Sequence, residues 1–104
     1  MPRKTQTDSR LLEVYRTIGD NILRKRGKTG MTQKQFAKFS GVSLSTIRAA
    51  ENGFGCSLEK LIKIAEAFGC SAGDFFITDA ERKEVTYQHI MLMDMMKKSF
   101  TGEK

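Results

Sequence analysis

Glycine rather than proline punctuates this chain. Its one proline is Pro2, and the later breaks fall at Gly27–Gly30, Gly41, Gly53–Gly55, Gly69 and Gly102. Proline is the residue that most strongly breaks a helix interior, while glycine adopts the positive φ of a helix end with least strain. Between the glycines stand Ser and Thr residues able to cap a following helix, and no strand-type alternation competes before residue 84. Such punctuation dictates short helices joined by tight connections, an all-α fold.

Asp8 or Ser9 caps a first helix running to about Arg26, with an apolar stripe of Leu11, Tyr15, Ile18 and Ile22 widened by Leu12 and Leu23. Gly27–Gly30 ends it. Thr32 caps Gln33–Ser40, whose Phe36 and Ala37 face inward, and Gly41 closes it. Ser43 caps Leu44–Asn52, with Ile47 and Ala50 inward, and Gly53 stops it. Ser57 caps Leu58–Phe68, whose core stripe is Leu61, Ile62, Ile64, Ala65 and Phe68. Ser71 with Asp74 makes a capping box for a fifth segment through Phe75, Phe76 and Ile77. The expected organisation is a flexible basic arm over residues 1–8, a five-helix domain over 9–77 with an extended first helix, and a tail over 78–104.

In the tail, Thr78 and Glu81 form a capping box for a sixth helix through about Lys98, with Val85, His89, Leu92 and Met96 on one face. Val85–Met91 also alternates as a strand would, and the Met-rich end favours the helix on propensity. The stretch Ile90–Met96 is apolar on most sides. Self-association covers such a surface at least cost, which makes Tyr87, Ile90, Met91, Leu92 and Met95 the candidate dimerisation residues. Docking back onto the chain's own domain, or onto another protein through its adaptable Met side chains, are the alternatives.

The 104 residues suit one domain, and 39% hydrophobic with 29% charged residues suits a folded one. No apolar run is long enough to cross a bilayer, and polar Met1–Ser9 lacks the core of an export signal, so a cytoplasmic protein without membrane attachment is expected. Cys56 and Cys70 do not form a metal-binding pair and one His, His89, cannot complete a zinc site; no metal and no cofactor are expected, and both cysteines read as free thiols. With no nucleophile, base and orienting group to assemble, an enzyme is not expected. The charge is +6, and it is lopsided: residues 1–52 hold 11 basic and 4 acidic residues, residues 53–104 hold 7 and 8. On charge alone, the first half binds a polyanion, nucleic acid or an anionic membrane, or carries a solvated basic face.

The stretch from Thr32 to Gly53, TQKQFAKFSGVSLSTIRAAENG, resolves the choice. It reads as two short helices joined by a tight turn, with small Ala37 at the crossing, Gly41 in the turn and Ile47 anchoring the second helix. Residues from about Ile18 to Phe76 resemble the phage repressor and Cro, or Xre, family of helix-turn-helix domains. The segments that carry the resemblance are IGDNILRKRGKTGMTQKQFA, GVSLSTIRAAENG, SLEKLIKIAEAFGCS and GDFF. The resemblance implies a lambda-repressor-like five-helix fold and sequence-specific binding to double-stranded DNA, usually as a homodimer on a two-fold operator.

The resemblance also assigns roles. The helix starting at Ser43 enters the major groove, and its relatives read bases at the positions of Leu44, Ser45 and Ala49. Leu44 and Ala49 can make only apolar contacts, so specificity falls to Ser45, Thr46 and Arg48, with Arg48 meeting guanine or phosphate. Gln33, capped by Thr32, and Asn52 match backbone-contacting residues, and Lys28 and Lys34 lie near enough to add charge. Arg26 and Glu51 match a structural ion pair. Phe39, Phe54, Gly55 and Cys56 depart from the family pattern. The function implied is a transcriptional regulator, a dimeric repressor; the alternative is an antitoxin or other partner-binding protein that uses the same domain on its own operator.

Overall fold

The computed structural model describes residues 3–83 together with residues 91, 94 and 95, with side chains from Ser9 on. Four α-helices, α1 (Arg3–Thr29), α2 (Gln33–Ser40), α3 (Leu44–Glu51) and α4 (Leu58–Phe68), are followed by a 3-10 helix, Ala72–Phe76, and the described residues contain no strand. The long α1 lies against both α3 and the 3-10 helix, while α2 packs on α3 and α4. The core is apolar: Ile18 and Ile22 from α1, Phe36 and Ala37 from α2, Val42 from the turn, Ile47 and Ala50 from α3, Leu61, Ile64 and Ala65 from α4, and Phe75. The Phe36 ring stacks on Phe68 at 4.5 Å between centroids, and Phe68 meets Phe75 edge-on at 6.2 Å. Both arrangements suit the quadrupoles of the rings.

Several expectations change. Helix α1 starts at Arg3, ahead of the expected Asp8 or Ser9 cap; no Gly or Pro interrupts residues 3–18. It also runs through Gly27 to Thr29. Its apolar stripe starts ahead of the buried part of α1, leaving Leu11 and Leu12 exposed, while Leu23, one position round the helix from buried Ile22, and Ile62 of α4 are exposed too. The fifth segment is 3-10 rather than α, and Ser71 accepts from the Gly73 N–H at 3.1 Å instead of sharing a box with Asp74. The tighter 3-10 winding brings the second N–H of the segment, not the third, to the capping oxygen.

At the start of the tail the expected box is present. The Thr78 N–H donates to Glu81 Oε1 at 3.0 Å and the Glu81 N–H to Thr78 Oγ1 at 3.2 Å, opening a helical turn over 79–83. Met91 and Met95 have helical backbone and are exposed. Tyr87, Ile90 and Leu92, and with them most of the helix-or-strand alternative, lie outside the described residues.

Two features fix α1 against α3. The first is Gly19, a buried mid-helix glycine. A Cβ there would sit 2.4 Å from the Ala50 carbonyl oxygen and 3.0 Å from that of Glu51, so the two backbones approach as closely as only glycine permits. The second is the ion pair. Arg26 Nε donates to Glu51 Oε2 at 2.6 Å and Nη2 to Oε1 at 3.0 Å, while Nη1 donates to the Met31 carbonyl at 2.9 Å. The carboxylate side chain is only 3% exposed and the guanidinium 15%. The Glu51 hydrogen bonds outweigh the burial and hold the guanidinium above its ordinary pKa, so it stays cationic.

Two substitutions of the same kind should differ in sign. Gly19→Ala forces a methyl onto backbone that cannot yield, and should cost about 1–3 kcal/mol by overpacking, more than the helix propensity gained. Gly27→Ala, with nothing within 4 Å of the new methyl, should stabilise the fold by about 0.5–1 kcal/mol. Urea unfolding of both variants checks the pair. Glu51→Ala leaves a partly buried guanidinium with only its Met31 partner and should cost about 1–3 kcal/mol; a loss under about 0.5 kcal/mol in the same assay would class the pair with ordinary exposed ones.

Candidate nucleic-acid interface

The chain from Met31 to Gly53 is built on caps. Thr32 is extended, and its Oγ1 accepts the Gln35 N–H at 3.1 Å while its own N–H donates to Gln35 Oε1 at 2.9 Å, a complete capping box. The pattern T-x-x-Q carries both halves of that box in the sequence, Gln35 as well as Thr32. Gly41, at φ 77°, turns the chain by donating its N–H to the Ala37 carbonyl at 3.0 Å. Ser43 then starts α3: its Oγ accepts the Thr46 N–H at 3.2 Å, donates to Thr46 Oγ1 at 2.9 Å and lies 3.2 Å from Ser45 Oγ. Three hydroxyls thus share one network at the leading end of the helix, which sets their starting orientations.

Behind that end, Ile47 and Ala50 are buried, and Leu44 is half-buried against the core. The outer side of α3 carries exposed Ser43, Ser45 and Arg48, with Thr46 and Ala49 half-exposed. No described residue covers it. Leu44 is therefore part of the packing as well as part of the leading turn.

Gln33 has a partner that sequence reasoning missed. Its Nε2 donates to Glu51 Oε1 at 2.8 Å. A carboxylate only accepts, so the amide nitrogen must face it, and the second N–H of that nitrogen is left to point elsewhere. One carboxylate therefore holds Arg26 from α1 and Gln33 from α2. Asn52, next in the chain after Glu51, is exposed and caps α3 with its N–H on the Arg48 carbonyl at 3.0 Å. Gln33 and Asn52 are brought to neighbouring places at the far end of α3, with exposed Lys34 beside Gln33 in the first turn of α2. Lys28 is exposed in the last turn of α1.

The remaining chemistry is muted. Cys56 and Cys70 are free thiols. Burial pushes both thiols up; at Cys70, Lys25 opposes the shift and Asp74 adds to it. Both stay protonated at neutral pH and are weak nucleophiles. Among the described residues no His, Cys, Asp and Glu cluster could hold a metal ion, and no helix is long and apolar enough to cross a membrane. Phe39 and Phe54, the aromatic departures, are both well exposed, at 62% and 72%.

Residues 22–75 match a family model described as helix-turn-helix. An HTH-type transcriptional regulator of Archaeoglobus fulgidus, itself uncharacterized, is 44% identical over 57 residues, covering 54% of this chain and 81% of the relative. Among solved structures, the hypothetical transcription factor NHTF from Neisseria superposes with a TM-score of 0.67 at 21% identity, over 73% of this chain and 86% of that one. The clp gene regulator ClgR from Corynebacterium glutamicum does so with a TM-score of 0.56 at 20% identity, over 88% and 96%. At those identities the structures bear on the fold, and the family match bears on the rest. This chain belongs to the helix-turn-helix family of DNA-binding transcriptional regulators, of the phage repressor and Cro type.

Proposed function

We propose that this chain is a sequence-specific, dimeric transcriptional repressor that inserts the leading end of α3, from Ser43, into the major groove of its operator. One observation carries the reading: the rear of α3 is locked to the domain through Ile47, Ala50 and Glu51, while Ser43, Ser45 and Arg48 stand exposed along its outer side. A rigidly held short helix with polar and cationic outer residues suits a groove wide enough to admit it.

Roles divide by chemistry. The Ser45 and Thr46 hydroxyls can donate to or accept from base edges once released from the Ser43 network, and Leu44 and Ala49 offer only apolar surface for a thymine methyl. Arg48 is long enough for guanine or phosphate. Gln33, whose amide is steadied by Glu51, and Asn52 clamp the backbone, with Thr32 setting the start of α2 and Lys28 and Lys34 adding charge. Dimerisation falls to the tail, through Tyr87, Ile90, Met91, Leu92 and Met95. A partner protein seated on that tail, as in an antitoxin that binds its own operator, is the alternative.

Selection of duplexes from a random pool should return a two-fold consensus, bound with an affinity that falls steeply with salt. Against that duplex, Ser45→Ala should lose about 1–3 kcal/mol of discrimination with little change in melting temperature, and Arg48→Ala should weaken binding, selectively for the consensus where Arg48 meets guanine and for all duplexes alike where it meets phosphate. Gln33→Ala should weaken consensus and scrambled duplexes together, because a phosphate contact carries no direct sequence information. A changed sequence preference in Gln33→Ala would reassign that residue. Equal wild-type binding to consensus and scrambled duplex would end the proposal. Cutting the chain after Lys83 should turn a dimer into a monomer in sedimentation; a truncated chain that stays dimeric places the interface elsewhere.

A further inference from the structure

Asn21 is buried, 3% exposed, and it lies on α1 two positions from Gly19. Its Nδ2 donates to the carbonyls of Phe75 at 2.7 Å and Ile77 at 2.9 Å. Its Oδ1 accepts from Arg24 Nη2 at 2.9 Å and from Arg82 Nη2. An Asn amide has two donors and two acceptor positions, and all are used. The partners span α1, the end of the 3-10 helix and the turn that opens the tail. The Arg82 guanidinium also donates to the Ile77 carbonyl at 3.3 Å and lies 3.9 Å from Asp79.

We infer that Asn21, acting through Arg82, is a positioning residue that sets the angle at which the tail leaves the domain, and so the operator half-site spacing that a dimer accepts. The inference rests on the reading that residues beyond Lys83 make the dimer. The geometry supplies the lever. On α1, Gly19 bears on the last carbonyls of α3, and Asn21, about 200° further round the helix, grips the exit of the chain. One helix thus relates the recognition helix to the tail. Two recognition helices on one operator sit about 34 Å apart, so each lies about 17 Å from the dyad. A swivel of that turn that shifts each α3 by about 1.7 Å along the DNA changes their separation by about 3.4 Å, one base-pair step. A turn free to swivel by that amount would accept neighbouring spacings almost equally.

Carbonyl partners alone would not need Arg82. Phe75 and Ile77 already satisfy the amide nitrogen, and Arg24 from the same helix already satisfies the amide oxygen once. What Arg82 adds is a direct link from the tail's first turn to the middle of α1, made by a buried group whose geometry is over-determined.

The test uses the full chain and three variants: Arg82→Ala, Arg82→Lys and Asn21→Ala. Binding is measured by fluorescence anisotropy to a duplex with one half-site and to duplexes with two half-sites whose separation changes one base pair at a time, with sedimentation giving the oligomeric state. The wild type should prefer one spacing by on the order of tenfold or more, since the second contact is intramolecular only when the geometry permits it. Arg82→Ala should stay dimeric and bind the single half-site within about twofold of wild type, while its spacing preference falls below about threefold. Arg82→Lys, which still presents an N–H donor, should recover part of the preference. Asn21→Ala should lose it as Arg82→Ala does, and because a folded Arg82→Ala reads the link alone, an unfolded Asn21→Ala does not decide the outcome. A wild-type spacing preference retained by Arg82→Ala overturns the inference and leaves the dimer standing. A wild type that sediments as a monomer overturns both.

Discussion

The Glu51 carboxylate takes two hydrogen bonds from Arg26 on α1 and one from Gln33 at the start of α2, while its own backbone ends α3. Three helices therefore meet on one nearly buried anion. Removing two charges from water is costly, and a pair in this position is favourable only when its geometry is good and its remaining lone pairs are filled. Here the pairing is two-pronged, the guanidinium has a third partner in the Met31 carbonyl and the carboxylate a third in Gln33. A pair so placed constrains orientation more than it adds stability: α3 cannot rotate about its axis without breaking several charge-assisted bonds at once.

Helix α1 is the frame for everything else. Its length carries it past the recognition helix at Gly19, past the ion pair at Arg26 and past the chain exit at Asn21. The apolar stripe supplies contact with the core through Ile18 and Ile22, but burial of that kind is non-directional and would tolerate several crossing angles. The directional choices come from two small features. A missing Cβ admits the α3 carbonyls, and one amide satisfies four partners. The outer side of α3 is exposed as a consequence of how its inner side is held.

Much of the fold was legible because it is local. Thr32, Ser43, Ser57 and Thr78 each cap where their side chains and following residues require, and Gly41 turns where positive φ is needed. The Arg26 and Glu51 pairing came from the family resemblance, since residues so far apart in the chain carry no local mark of their contact. What was misread is equally physical. Leu11, Leu12, Leu23 and Ile62 fit an apolar helical face but find no opposing surface among the described residues. Ser71 was given an α-helical partner because capping logic assumes α geometry, and the segment wound as a 3-10 helix. Asn21 left no trace in the sequence. A lone polar residue beside Ile22 looks like an edge of the stripe until distant carbonyls arrive to satisfy it.

By itself the sequence determined the all-α class, the punctuation of the helices, the core of the two-helix motif and the lopsided positive charge. Each depends on residues within one or two turns of each other, where backbone sterics and capping hydrogen bonds act without help. Only the tertiary structure decided that Leu44 packs against the core, that Gln33 shares its carboxylate with Arg26, and that the tail departs from a point tied to the middle of α1. Those outcomes join groups separated by many residues. Whether a buried polar group is an error or a joint depends on the partners that folding brings to it.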